Sequence, residues 1–374
     1  MAKIFAPGPV DLPEIVKQEL LVDPPYFGDV KFHRIIEKIQ PQLRRLFQTV
    51  NPILLCTGSG SLLMEQVILN FFSPNSKVVF INNGRYGKNW IECAKIHGLW
   101  VKEIKADLST SRGVSRTTEE IDTWLKHHPD TEGVFCQHVE TTTGLKVDVK
   151  AVAASVRRYT NAIFVVDAIS SFLSERIWPD EWDVDVVLVS SQKGLPLPPG
   201  LGLLSVSSKA IEFAKRSTLP KYYFNVLTEI DRQIVKHQTR FTPATQIIMC
   251  LSKVLDTFET IDSYFLDELS LLAYTRSEVV ANSLFVKGPF IPYSDNLNNT
   301  ITVALFPEDI PVKEFFKILE NRYNYIAGKG NDFLKDRVIR IRTFGWDLKR
   351  SDVEQFLKAV NNTLEDTKAG RYWK

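Results

Sequence analysis

The sequence predicts an α/β protein, with a large unit built on a mainly parallel β-sheet flanked by helices and a smaller α+β unit at the C-terminus. Three observations carry this expectation. Short apolar runs rich in β-branched residues recur as far as Val206. Between them lie stretches in which apolar residues return every three or four positions, the spacing of one helix face. Beyond Val206 the texture changes to long amphipathic helical patterns, then to a short succession of strands and helices. Such alternation implies βαβ units, whose strands are covered on both faces and so read as continuous apolar runs.

Taken in order, Ile53–Leu55, Val78–Ile81, Gly133–Cys136, Ala162–Val166, Val184–Val189 and Leu201–Val206 read as strands. Leu62–Phe72, Tyr86–His97, Thr118–His127 and Val149–Tyr159 read as the intervening helices. Helical patterns follow at Lys209–Thr218 and Pro243–Leu284, the latter broken or bent near its middle. From Asn298 the chain reads strand (Thr300–Phe306), helix (Val312–Asn321), two short strands (Tyr325–Ala327, Val338–Ile341) and a final helix (Arg350–Thr367). The expected division is an N-terminal arm (1–20), a large domain (21–255) and a small domain (256–374), with a helix crossing the second boundary.

Composition narrows the function. The 374 residues are 44% apolar and 24% charged, enough for a sizeable core and too apolar for disorder. Forty-six basic against 44 acidic side chains leave a formal charge of +2, which gives no reason to expect nucleic acid as partner. Four scattered cysteines, Cys56, Cys93, Cys136 and Cys250, form neither a disulfide framework nor a C-x-x-C pair, so no metal is expected and a reducing compartment is. The N-terminus lacks a basic segment leading into an apolar run, and no stretch reaches the roughly 18 apolar residues of a membrane span. A soluble, cytoplasmic protein without a membrane partner is the expectation.

Four features fall at strand ends, which in a parallel sheet converge on the crevice where ligands bind. Thr57-Gly58-Ser59-Gly60-Ser61 joins a strand to a helix; small residues and first-turn N–H groups there suit a phosphate, although the segment also reads as a Ser-capped turn. Asp167 ends the run Ala162–Val166, where a carboxylate needs a cation or donors; a helix N-cap is the alternative. Lys193 follows the run Val184–Val189, and an amine desolvated at such a place forms an imine with an aldehyde. Arg340 and Arg342 share a face of the strand Val338–Arg342, either solvated or presenting a guanidinium to a carboxylate. A phosphate cradle, an anion for a ring nitrogen, an imine-forming lysine and a carboxylate clamp together describe a site for pyridoxal phosphate and an amino acid.

The stretches Asp167-Ala168-Ile169-Ser170-Ser171, Ser191-Gln192-Lys193-Gly194 with Pro198-Pro199-Gly200, and Glu140-Thr141-Thr142-Thr143-Gly144 resemble class V, fold-type I aminotransferases. The branch most similar in appearance holds the alanine–glyoxylate, serine–pyruvate and 2-aminoethylphosphonate–pyruvate transaminases. The resemblance runs from Ala6-Pro7-Gly8-Pro9 through Asn83-Gly84-Arg85-Tyr86-Gly87 to Arg340. It implies a seven-stranded type of sheet and a pyridoxal 5'-phosphate enzyme that passes an amino group from a small donor, of alanine or serine type, to pyruvate or glyoxylate by a ping-pong route.

Residue by residue, the resemblance makes Lys193 the holder of the cofactor as an internal aldimine and Asp167 the partner of its ring nitrogen. Tyr86 stands where the family stacks an aromatic ring on the cofactor, and Thr142 and Gln192 match residues near its ring hydroxyl and phosphate. Ser59, Gly60 and Ser61 match the phosphate cup. Arg240 and Thr242 resemble a segment that reaches the same phosphate from a neighbouring subunit, which implies a homodimer with the Ala6–Pro9 arm across the interface. Arg340 matches the substrate clamp, and Arg342, where relatives usually carry glycine, is a candidate for a second anionic group. The alternatives are a 2-aminoethylphosphonate–pyruvate transaminase and a lyase or cysteine desulfurase on the same fold. The latter needs a reactive cysteine late in the chain, whereas none follows Cys250.

Overall fold

The computed structural model describes residues 2–107, 110–258, 260–296 and 298–370. In chain order the first half holds β1 (Lys3–Ile4), α1 (Glu14–Glu19), α2 (Val30–Phe47), β2 (Ile53–Thr57), α3 (Gly60–Phe71), β3 (Lys77–Asn82), α4 (Arg85–Ile96), β4 (Trp100–Lys105), α5 (Ser111–His127), β5 (Gly133–Gln137), α6 (Val149–Tyr159) and β6 (Ile163–Asp167). There follow β7 (Val186–Ser190), β8 (Leu201–Val206), α7 (Ser208–Arg216), α8 (Val226–Glu229), α9 (Thr245–Thr257) and α10 (Ser263–Ala281). The chain ends with β9 (Ile291–Pro292), β10 (Ile301–Leu305), α11 (Val312–Asn321), β11 (Tyr325–Ile326), β12 (Gly328–Lys329), β13 (Val338–Arg342) and α12 (Arg350–Lys368).

Strands β2 to β8 form one seven-stranded sheet in the order β2-β8-β7-β6-β5-β3-β4. All its pairings are parallel except those of β8, which runs antiparallel to both neighbours. Every residue of β5, β6, β7 and β8 is buried, which is why these strands are apolar without alternation. Helices α1, α2, α5, α6 and α9 cover one face around Ile36, Leu43, Val166 and Val187. Helices α3, α4 and α7 cover the other around Val67, Trp90, Phe135 and Leu188.

The crossover helices begin where the sequence supplies caps. Asp29 accepts from Lys31 N, Asp148 from Ala151 N, Ser207 from Ala210 N and Asp262 from Phe265 N, each satisfying an otherwise orphaned first-turn donor. The long predicted helix Pro243–Leu284 is two helices, α9 and α10, the second opened by the Asp262 cap; Glu259, inside the predicted stretch, lies outside the described residues.

A second, antiparallel sheet of order β12-β13-β10-β9 packs on α10, α11 and α12 through Phe315, Ile339, Ile341 and Phe356. Ahead of the Ala6–Pro9 segment, the first residues pack on the small sheet's side of their own chain. β1 pairs in parallel with β11, and Phe5 stacks on Phe356 at 4.0 Å. The segment Gly328–Lys329 is a short strand paired with Ile339 and Arg340. Among the described residues no helix is long and apolar enough to cross a membrane.

Candidate active site

The carboxyl ends of β6 and β7 lie side by side and bring Asp167 and Lys193 into one buried cluster. Asp167 Oδ1 accepts the Ile169 amide at 2.8 Å, which leaves Oδ2 for a ligand. Burial pushes its carboxyl up to about 7, with the Glu140 charge adding to the effect and the Lys193 ammonium and the Ile169 amide opposing it. Lys193 Nζ donates to Thr141 Oγ1 at 2.8 Å and Ser170 Oγ at 2.9 Å, two hydroxyls that themselves lie 2.6 Å apart. Burial brings its amine down to about 8, near the range where it is both neutral and nucleophilic.

Two glycines show how tightly this lysine is seated. A Cβ on Gly194 would lie 2.2 Å from the Phe172 carbonyl oxygen, and one on Gly8 would lie 2.9 Å from Lys193 Cγ. The loop after β7 and the N-terminal arm therefore close around the lysine stem at distances only glycine allows.

Tyr86, in the first turn of α4, presents its ring 5.8 Å from Lys193 Nζ. Its backbone is fixed by Glu140, whose Oε2 accepts from Tyr86 N at 3.2 Å while Oε1 accepts from Thr142 N at 3.1 Å. Glu140 is fully buried, and desolvation raises its carboxyl above the usual range. Thr142 is likewise buried. Gln192 Oε1 accepts from Ser190 Oγ at 2.5 Å, which holds the residue before the lysine against the end of β7.

At the start of α3, Ser59 is the N-cap residue but makes no capping bond with its own hydroxyl. A Cβ on Gly60 would meet Ile169 Cδ1 at 2.5 Å and Ser190 Cβ at 3.3 Å, so glycine lets the helix N-terminus come against the ends of β6 and β7. Ser59 and Ser61 are exposed on either side of it. This is a positive, donor-rich cradle open to an anion.

Arg340 enters from β13 of the small sheet. Its Nε donates to Lys329 O at 2.9 Å and Nη1 to Thr141 O at 2.8 Å, and the Asn331 amide lies 3.3 Å from Nη2. It is buried, and its charge is felt by Lys193 and Tyr86. Arg342 is not brought to this cluster. Its Nε donates to Ile4 O at 3.0 Å and Nη1 to Phe344 O at 3.1 Å, with Asp347, Asp11 and Asp352 as the nearby charges. The two arginines share a strand face, but one meets the large sheet and the other ties down the N-terminal arm. Arg240 and Thr242 precede Ala244, whose N donates to Thr57 Oγ1 at 3.0 Å; Arg240 Nη1 donates to Tyr222 O at 2.9 Å between the Tyr222 and Phe241 rings, and Thr242 is exposed.

Three residues of the cluster escape reading as site residues from sequence: Glu140, Thr141 and Ser170. Hydroxyls and a carboxylate in a turn are ordinary; what marks these is burial beside a lysine, visible only after folding.

The set fits pyridoxal phosphate. A buried amine can hold its aldehyde, the free Asp167 oxygen can face its ring nitrogen, Tyr86 can cover its ring, and the Gly60 cradle can take its phosphate.

Comparison with known proteins agrees. The profile of the family described as aminotransferase class-V matches residues 29–278. The chain is 33% identical to the L-aspartate–glyoxylate aminotransferase of Paracoccus denitrificans, over 91% of this chain and 86% of the relative. It is 30% identical to a protein named soluble hydrogenase, small subunit, of a Synechococcus strain, over 92% and 88%. Among solved structures, the alanine–glyoxylate aminotransferase of a Nostoc species superimposes with a TM-score of 0.87 at 24% identity, covering 97% of this chain and 95% of that one. Fold, buried lysine and family profile coincide: the chain belongs to the class-V aminotransferases and is a pyridoxal phosphate-dependent transaminase of fold type I.

Proposed function

We propose that the protein moves an amino group from a small amino acid of alanine or serine type to glyoxylate or pyruvate, in two half-reactions at one site. The observation that carries this reading is the convergence of Lys193, Asp167 and Arg340 within the shell made by Tyr86, Glu140, Thr141 and Ser170. When bound, pyridoxal phosphate supplies the aldehyde that takes up the amine and the conjugated ring that delocalises charge from the substrate α-carbon. The rest is work for side chains. Lys193 Nζ holds the cofactor and, once displaced by substrate, carries the proton from the α-carbon. Its depressed basicity serves both tasks near neutral pH. The Thr141 and Ser170 hydroxyls keep Nζ in place, and Asp167 Oδ2 holds the proton on the ring nitrogen.

Ser59, Gly60, Ser61 and Gln192 bind the phosphate, Tyr86 and Thr142 enclose the ring, and Glu140 fixes both backbones. Arg340 takes the substrate carboxylate in a fork that Lys329 and Thr141 carbonyls orient from behind. Arg240 and Thr242 complete the phosphate site of a second subunit, so the working form is a homodimer.

A desulfurase reading lacks a reactive thiol late in the chain, where Cys250 is the last cysteine. Cys250 is buried in α9 with its Sγ 3.8 Å from Val16 O, and burial raises its thiol to about 11. The deciding experiment is a donor panel of alanine, serine, aspartate and 2-aminoethylphosphonate against glyoxylate and pyruvate, with both products identified. Stoichiometric glycine or alanine from the acceptor supports the reading. Ammonia or sulfide release without amination of any acceptor overturns it, and amination from 2-aminoethylphosphonate alone reassigns the donor.

A further inference from the structure

At the far end of α4 from Tyr86, three side chains unused by the proposed reaction come together. Cys93 and His97 are four apart, the spacing that puts two residues on one helix face, and Glu65 of α3 faces them. One ligand atom from each lies within 4.8 Å of the other two. His97 Nε2 and Glu65 Oε1 are already 2.9 Å apart, with 22% and 45% of their side chains exposed. We infer that Glu65, Cys93 and His97 form a binding site for a divalent transition metal of zinc type, with water at a fourth, open position.

The ligand chemistry is selective. Thiolate, imidazole and carboxylate together favour Zn2+ or Co2+ over Mg2+ or Ca2+, which take oxygen ligands. The frame is also fixed beforehand, because buried Trp90 of α4 donates Nε1 to Met64 O of α3 at 2.9 Å, next to Glu65. His97 is the C-cap residue of α4, where the helix dipole favours a cation. Forming the metal–sulfur bond sends the Cys93 Sγ proton to buffer, with no change in oxidation state.

A metal here would cross-link α3 and α4 roughly 10 to 17 Å along the helix axis from Tyr86, the rise over the 7 to 11 residues that separate it from Cys93 and His97. Those two helices carry the Gly60 cradle and Tyr86 at their other ends. The expected consequence is added stability rather than a part in the chemistry.

The test uses the cofactor-loaded protein, freed of metal by dialysis against chelator and titrated with Co2+. The wild type should retain one Co2+ per chain and show intense d–d bands of tetrahedral type, at longer wavelength than the cofactor absorbs. Cys93→Ser and His97→Ala should lose those bands and bind more than about tenfold more weakly, since even an outer-shell partner is worth that much. Both should keep the cofactor spectrum and transamination. Zn2+ should raise the melting temperature of the wild type and not of either variant. Failure of the wild type to retain Co2+, a weak six-coordinate spectrum, or undiminished, wild-type affinity in both variants would overturn the site.

Discussion

Replacing Arg340 by alanine separates substrate binding from everything else in the site. Its guanidinium already spends one N–H on Lys329 O and one on Thr141 O, which fixes its plane and leaves donors for a carboxylate. Losing a bidentate, desolvated pair of this kind costs about 2 to 5 kcal/mol. At about 1.4 kcal/mol per tenfold, that is a rise in the apparent KM for glyoxylate or pyruvate of roughly thirtyfold to several thousandfold. The cofactor absorbance should be unchanged, because Arg340 touches neither Lys193 nor Asp167 directly.

Arg340→Lys should rescue poorly, since an ammonium lacks the planar fork. The control is Arg342→Ala, which removes bonds to Ile4 O and Phe344 O and leaves a void beneath the arm. It should lower stability by about 2 to 4 kcal/mol while the KM of the folded fraction holds. Steady-state kinetics at saturating donor, paired with denaturant melts, reads both quantities. If Arg342→Ala loses acceptor affinity and Arg340→Ala does not, the clamp is misassigned and the reasoning from these hydrogen bonds fails.

The remaining predictions concern the interior of the site. With the cofactor removed, the Lys193 amine is held at about 8 against an ordinary 10.5, so its burial penalty, about 3 kcal/mol, is absent above pH 10.5 and fully present once pH falls through 8. Cofactor-free wild type should therefore gain about 3 kcal/mol relative to Lys193→Met between those limits in paired urea melts; a pH-independent gap would contradict the burial argument. Asp167→Asn should keep the fold but slow turnover by about 3 kcal/mol of barrier, roughly a hundredfold, as the ring-nitrogen proton loses its anion. Near-normal turnover would remove Asp167 from the mechanism. Sedimentation of the holoenzyme should give a dimer at micromolar concentration, and an active monomer would leave Arg240 and Thr242 without their proposed role.

Much of this was legible in sequence wherever burial was uniform. The inner strands announce themselves because helices cover both faces, so Leu201–Val206 and the helix Val149–Tyr159 have the predicted ends. The edge strand β4 does not: Trp100-Val101-Lys102-Glu103-Ile104-Lys105 is half-exposed and charged, and reads as surface. Helix α2, with Pro41 in its interior and a polar outer face, is missed for a related reason. In the site, Asp167 and Lys193 stand out because a charge at the end of an apolar run is costly, and cost points to function.

Glu140, Thr141 and Ser170 carry no such signal, since their surroundings are supplied by distant strands. Alternation along β13 places Arg340 and Arg342 on one face, but not that the face spans two neighbours, the Thr141 turn and the N-terminal arm. The Cys93–His97 pairing is silent until Glu65 arrives from another helix.

Whether a cofactor held by Lys193 shuttles an amino group is decided by a half-reaction followed in absorbance. Purified holoenzyme mixed with the best donor and no keto acid should lose the visible band of the lysine-bound cofactor, gain the shorter-wavelength band of its aminated form, and release one keto acid per site. Addition of glyoxylate or pyruvate should restore the first band, and Lys193→Ala should show neither the band nor the cycle. A wild type whose spectrum stays fixed with every donor, or a Lys193→Ala variant that cycles like the wild type, would contradict the account.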